Sequence, residues 1–180
     1  MNAKLTWVLL IAVGVLGAAV YGGLALATPV TGVGNPPWSP VIGSFADGID
    51  AKARTDTDPG RGRDNWKVKL EADGATDVHI VENIIQPGGT FGWHTHPGPS
   101  LVIVKAGTLS AYHSADCTTP EDFGPASPLG STFVDQGHDL HMVRNNSATV
   151  VADVYVISFV PAGFPRRIDE ANPDMTRCPQ

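Results

Sequence analysis

Gly89-Thr90-Phe91-Gly92-Trp93-His94-Thr95-His96 is the stretch that decides the reading of this chain, and it is answered downstream by His141-Met142-Val143-Arg144-Asn145. His94 and His96 stand at i and i+2. On a β-strand, side chains two apart point to one face. Two imidazoles on one face, plus a third from another strand, can make a facial three-nitrogen metal site. Neutral imidazole is a ligand for Zn, Cu, Fe and Ni.

The sequence around this stretch also reads as β. Trp66 to Leu70 alternates, Val78 to Ile85 is β-branched, and Ser100–Val104 and Thr108–His113 flank a Lys105-Ala106-Gly107 turn. Thr149 to Val160 is a long β-branched and aromatic run, stopped by Pro161. Pro and Gly are dense between Asp116 and Ser131, which reads as a loop. No segment from 63 to 160 keeps a helical period, although a short helical turn near Glu170 fits. With 20 Gly and 15 Pro in 180 residues, composition favours a turn-rich all-β fold over a helical bundle. Hydrophobic residues make up 42%, enough for the core of one domain.

Net charge is −6 and no Lys/Arg stripe is present, which argues against nucleic-acid binding. Arg61-Gly62-Arg63 and Arg166-Arg167 read as solvated loop charges. GxSxG and phosphate-binding glycine loops are missing.

The chain divides into four parts. Residues 1–27 form a hydrophobic helix, a signal peptide or a single membrane anchor. Lys4 is the only charge before Asp47, and Leu5–Ala27 is about 23 apolar or small residues, long enough to span a bilayer once. Ala25-Leu26-Ala27 also fits a cleavage site. Both readings put the rest outside the cytoplasm. Residues 28–62 are a Pro/Gly-rich linker or arm, with Trp38, Ile42 and Phe45 able to dock on the domain. Residues 63–165 are the β domain, and residues 166–180 are a C-terminal tail. In an exported chain, two cysteines, Cys117 and Cys178, suggest one disulfide tying that tail to the domain. Closing a loop of about 60 residues stabilises by about 4 kcal/mol in the chain-entropy model.

Two motifs carry a family resemblance. Gly89, four residues, His94-Thr95-His96, three residues, Ser100, six residues and Gly107 resembles the first cupin motif, with Ser100 where that motif has Glu. Gly130, five residues, Gln136, then His138, two residues, His141, three residues and Asn145 resembles the second, with Gln136 for Pro and His138 for Gly. The resemblance implies a double-stranded β-helix, a jelly-roll barrel. It also implies one divalent metal ion on His94, His96 and His141, with Fe, Mn, Zn, Cu and Ni not distinguished. The fourth, carboxylate ligand is missing at Ser100, so the ion's charge is uncompensated and favours an anionic or enolisable small-molecule ligand. Cupins also often pair through sheet edges, which implies a homodimer.

Ser100, Tyr112 and His138 are further candidates for the pocket or for contacts behind the ligands. His113 and His138 are the available bases, and His79 reads as structural. Trp93 and Phe91 share the face opposite His94 if the strand is regular. Val102 and Val104 share the face of Ser100 and would line a pocket with Met142 or Phe133. Asn145-Asn146-Ser147 is a glycosylation acceptor pattern that reads equally as a turn. Three functions remain open: a metal-dependent dioxygenase, isomerase or lyase; a non-catalytic module binding a small molecule or metal at the cell envelope; and a structural envelope protein.

Overall fold

β5, Thr76–Thr95, is the spine of the molecule, and five other strands hydrogen-bond to it. A computed structural model describes residues 26–34, 41–54 and 67–180. The hydrophobic helix expected over residues 1–27 lies outside these except for its last two residues. Trp38 and Arg61-Gly62-Arg63 lie outside them too. Among the described residues no helix is long and apolar enough to cross a membrane. All described elements are strands and turns, including the region of Glu170.

β1 (Thr31–Gly34), β2 (Val41–Phe45), β6 (Ser100–Ala106), β7 (Leu109–His113), β8 (Asp116–Phe123) and β9 (Thr132–Asp135) join β5 in one antiparallel sheet. β10 (His141–Arg144), β11 (Ala152–Pro161) and β12 (Ile168–Asp169) complete its ten strands. Its main path runs β8-β7-β10-β5-β11-β6-β9, while β1, β2 and β12 also pair with β5. β3 (Ile49–Arg54) and β4 (Lys67–Ala72) form a separate two-stranded sheet. Residues 28–62, read from composition as a linker or arm, thus contain β1, β2 and β3. The Asp116–Ser131 stretch, expected as a loop, is a strand as far as Phe123. β8 lies at the end of the sheet path, where Pro120 need not donate to a ladder on both sides.

The sheet rolls up because β5 serves two sets of partners. Its first half pairs with β11 through Ile85, and its second half pairs with β10 from Thr90 to His94. Between them lies Gln86-Pro87-Gly88-Gly89. Asn145 pins this bend. It is fully buried, its Nδ2 donates to the carbonyls of Ile85 and Val150 at 3.0 and 2.7 Å, and its backbone N–H reaches Gly89 O at 2.9 Å. With Nδ2 buried and twice engaged, the acceptor pattern at Asn145 is closed to glycosylation in the folded chain.

β6 alternates cleanly. Ser100, Val102 and Val104 face inward, and Leu101 and Ile103 face outward. Its inner residues join Ile85, Leu109, Ala111, Phe123, Val143, Ala152 and Val154 in the main core. A second core of Trp93, Tyr112, Cys117, Met142 and Cys178 lies on the other side of the β5–β10 pair. Cys117 and Cys178 form a disulfide with Cα atoms 5.1 Å apart, and it binds the tail to this second core.

Candidate metal centre

His94, His96 and His141 are each at most 6% exposed, and one ligand nitrogen of each lies within 4.8 Å of the others. The pairing of β5 with β10 places His141 directly opposite His94, and their ring centroids are 4.3 Å apart. His96, just past the end of β5, completes the group, with centroids 4.9 Å from His94 and 5.3 Å from His141.

Backbone carbonyls set the tautomer of all three rings. His94 Nδ1 lies 2.8 Å from Gly92 O, His96 Nδ1 2.7 Å from Arg166 O, and His141 Nδ1 2.8 Å from Asp139 O. A carbonyl can only accept, so each Nδ1 carries the proton and donates it. In the neutral form of each ring Nε2 then carries the lone pair, the arrangement found behind metal-ligating histidines. Burial, and then the neighbouring His141 and Arg167, hold the His94 pKa well below the usual histidine value. Burial also lowers that of His96. Both effects favour the neutral, ligating form.

The sequence reading missed Asp135. Its Oδ2 lies 3.3 Å from His96 Nε2 and 3.4 Å from His141 Nε2, and its side chain is 9% exposed. Its other oxygen accepts the Gly137 backbone N–H at 2.8 Å, which turns Oδ2 inward. A carboxylate oxygen at these separations is held by a proton on one of the facing nitrogens or by a metal ion shared with them. Two donors about 2.1 Å from one tetrahedral ion lie about 3.4 Å apart, so these separations suit ligands that share one metal. The three imidazole nitrogens thus form a group that fits a divalent ion, with the Asp135 carboxylate against two of them. The only linear hint was the acidic residue just before the Gln136-Gly137-His138 turn. Its relevance appears in the register of β6 and β9, where Asp135 pairs with Ser100, the position lacking its carboxylate. Ser100 itself is 1% exposed, lines the cavity and shares a 2.8 Å hydrogen bond with Ser158.

The three-histidine group opens on a narrow cavity of about 40 Å³. Its deeper walls include Val102, Leu109, Phe133, Val143 and Val154. Arg166 and Arg167 also line it and are half-buried, which corrects their reading as solvated loop charges. The cause is β12. It runs antiparallel to the histidine end of β5, with Ile168 opposite Thr95 and Asp169 opposite His94, so the two residues before it lie over the cavity.

Four residues stand elsewhere than the sequence led us to expect. Phe91 lines the cavity although Trp93 is fully buried in the second core. The register slips between Met142 and Arg144, whose partners are Trp93 and Thr90, so an extra β5 residue bulges there. Gly92 permits the bulge. Its φ is +69°, and a Cβ would come within 2.4 Å of Thr28 O. Met142 and Tyr112 are register partners on the Trp93 side, so neither enters the cavity. The Tyr112 hydroxyl instead accepts from Asn146 Nδ2 at 2.7 Å. His138 is exposed at a turn, with φ +63°. Its backbone N–H binds His96 O at 2.8 Å, so its contact with the ligand strand is through the main chain.

No family model matches the sequence, and no curated protein matches it either. Similarity appears among solved structures. A cupin-like protein from Thermotoga maritima is 14% identical over 58% of this chain and 82% of its own, with a TM-score of 0.42. A cupin superfamily protein from Desulfitobacterium hafniense is 14% identical over 46% and 67%, with a TM-score of 0.39. An oxalate oxidase in complex with the substrate analogue glycolate is 23% identical over 47% and 42%, with a TM-score of 0.37. Two of these three neighbours are a cupin superfamily protein and a cupin-like protein.

Proposed function

We propose that this chain is an extracytoplasmic, mononuclear metal-binding cupin enzyme acting on an anionic or enolisable small molecule by dioxygenase, isomerase or lyase chemistry. The observation that carries the metal reading is the convergence of one ligand nitrogen each from buried His94, His96 and His141, with the Asp135 carboxylate against two of the rings. The residues that would hold the ion are His94, His96, His141 and Asp135. When bound, a divalent ion supplies Lewis acidity and open positions for a ligand oxygen. The protein contributes a carbonyl partner for Nδ1 at each ring, a cavity with largely apolar side walls, and Ser100, oriented by Ser158, as a hydroxyl on the cavity wall.

Export is supported by the disulfide, which persists in oxidising compartments. The leader or anchor at residues 1–27 is part of the same proposal. A homodimer is supported by exposed Ile80, Leu101, Ile103 and Val134, which share an outer sheet face. A non-catalytic binding module is the second reading. The expected bases favour it, because His113 and His138 both have exposed side chains outside the cavity.

Elemental analysis of the full chain, purified without a metal-binding tag, tests the proposal. We expect about one equivalent of a divalent metal, lost in a His94→Ala/His96→Ala double variant. Absence of metal from the wild-type chain, even after addition of divalent ions, overturns the metal reading. If the loaded protein binds small anions but turns none over, the binding-module reading replaces the enzyme.

A further inference from the structure

The geometry points to Arg166 and Arg167 as the site that captures the carboxylate of a small acid, holding it beside the metal-binding group. This inference rests on the metal-centre reading for what lies opposite the arginines, although the arginines themselves belong to the fold.

Arg167 is a fixed donor. Its Nε binds Asp169 Oδ1 at 2.5 Å, its Nη2 donates to Phe91 O, and its guanidinium lies 5.9 Å from the centre of the Phe91 ring. Its side chain is 13% exposed, and its Nη1 is buried without a hydrogen-bond partner. A buried guanidinium N–H with no acceptor costs free energy, so it marks a place where an acceptor belongs. Arg166 lines the same cavity, and its guanidinium has no hydrogen bond or ion pair among the described residues. Burial, and then the charge of Arg167, depress the Arg166 pKa, so the two cations oppose each other in a partly dry place.

The local charge is compensated poorly. Asp169 offsets Arg167 but is more than half exposed, and Asp135 faces the histidines. A divalent ion on three neutral imidazoles and one carboxylate leaves further positive charge. The missing component is therefore an anion. Its size follows from the cavity, and its type from the donors. Planar guanidinium forks match a carboxylate. Beyond the charged groups and the histidines, the walls are mostly apolar, Phe91, Val102, Phe133 and Val154 among them, with Asn83 and Ser100 as the neutral polar groups, and give a phosphate's further oxygens few partners. One oxygen pair of the acid meets the arginines, and a second oxygen function faces the metal-binding group.

The test is calorimetric titration of the full chain, loaded with Zn and also metal-free, with malonate, neutral malonamide and inorganic phosphate. Malonate should bind the loaded protein at least tenfold more tightly than malonamide or phosphate does. Arg166→Gln should weaken malonate at least tenfold while metal content and melting temperature stay as in wild type. Arg166→Lys, which keeps the charge but not the fork, should recover only part of the affinity and guards against a folding defect in the Gln variant. Exposed Arg177→Gln should have no effect. Equal malonate affinity in wild type and Arg166→Gln, or tighter binding of phosphate or malonamide, overturns the inference. If the wild-type chain takes up no metal, malonate binding that Arg166→Gln weakens still supports the arginine site. Absence of malonate binding in both forms overturns it.

Discussion

Trp93 and His94 are neighbours on β5, yet they face environments of opposite chemistry. Trp93 is fully buried against Met142, Tyr112 and the Cys117–Cys178 disulfide, and its indole N–H donates to Pro179 O at 3.0 Å. That side is apolar, satisfied and closed by a covalent link. His94 faces lone pairs, a carboxylate and two guanidinium groups that lack mutual compensation. Two stretches of one tail serve the two sides. Residues 166–169 lie over the cavity, and Cys178–Pro179 seals the second core. Stability concentrated on one face leaves the other able to hold groups that would be unfavourable without a ligand.

Substitutions should separate the two faces. The largest stability effect is expected from Trp93→Ala. It opens a cavity in the closed core and should cost about 3–5 kcal/mol in denaturant unfolding, while any surviving folded fraction keeps its metal. Loss of metal at full stability would show that the faces are not separable as described. Asp135→Asn should do the reverse. Second-sphere or weak-ligand changes typically cost about 10–100-fold in metal affinity, so a competition titration should show a loss in that range, with metal-free stability little changed. Unchanged affinity would remove Asp135 from the donor set.

Smaller effects sharpen the same contrast. His94 and His96 have pKa values lowered by burial, so in the metal-free protein they stay neutral where the unfolded chain is protonated. The unfolded state then binds more protons, and stability falls as pH drops below about 6.5, the ordinary histidine value, towards the lowered folded values. Above that pH the effect is absent. Thermal unfolding of metal-free protein across this range should show the decline, and His94→Ala/His96→Ala should flatten it. The smallest expected effect is at His138. Its φ of +63° lies in the left-handed region, which costs a side chain on the order of 1 kcal/mol relative to glycine. His138→Gly should therefore stabilise by up to about 1 kcal/mol, measured by denaturant unfolding, with metal content unchanged. Destabilisation would mean that the His138 side chain makes a contact worth more than the strain.

What could be read along the chain was whatever depends on spacing. The i, i+2 histidines and the motif intervals indicate an all-β frame and three nitrogen donors, because the two-residue period of a strand is a local property. The second motif even marks the His138 position as one suited to glycine, and the backbone there is left-handed. The placement of Phe91 could not be read, because a bulge at Gly92 breaks the two-residue period and depends on Thr28, which is distant in sequence. Asp135 and the Arg166–Arg167 pair were also hidden. Asp135 becomes a neighbour of the histidines only through the β6–β9 register, and the arginines reach the cavity only because β12 pairs with β5. By itself the sequence determined the fold class, the three histidines and the cysteine pair, since these follow from local periodicity and residue chemistry. The tertiary structure alone decided which carboxylate and which cations meet those histidines, because strand register and chain crossing bring together groups that no local pattern relates.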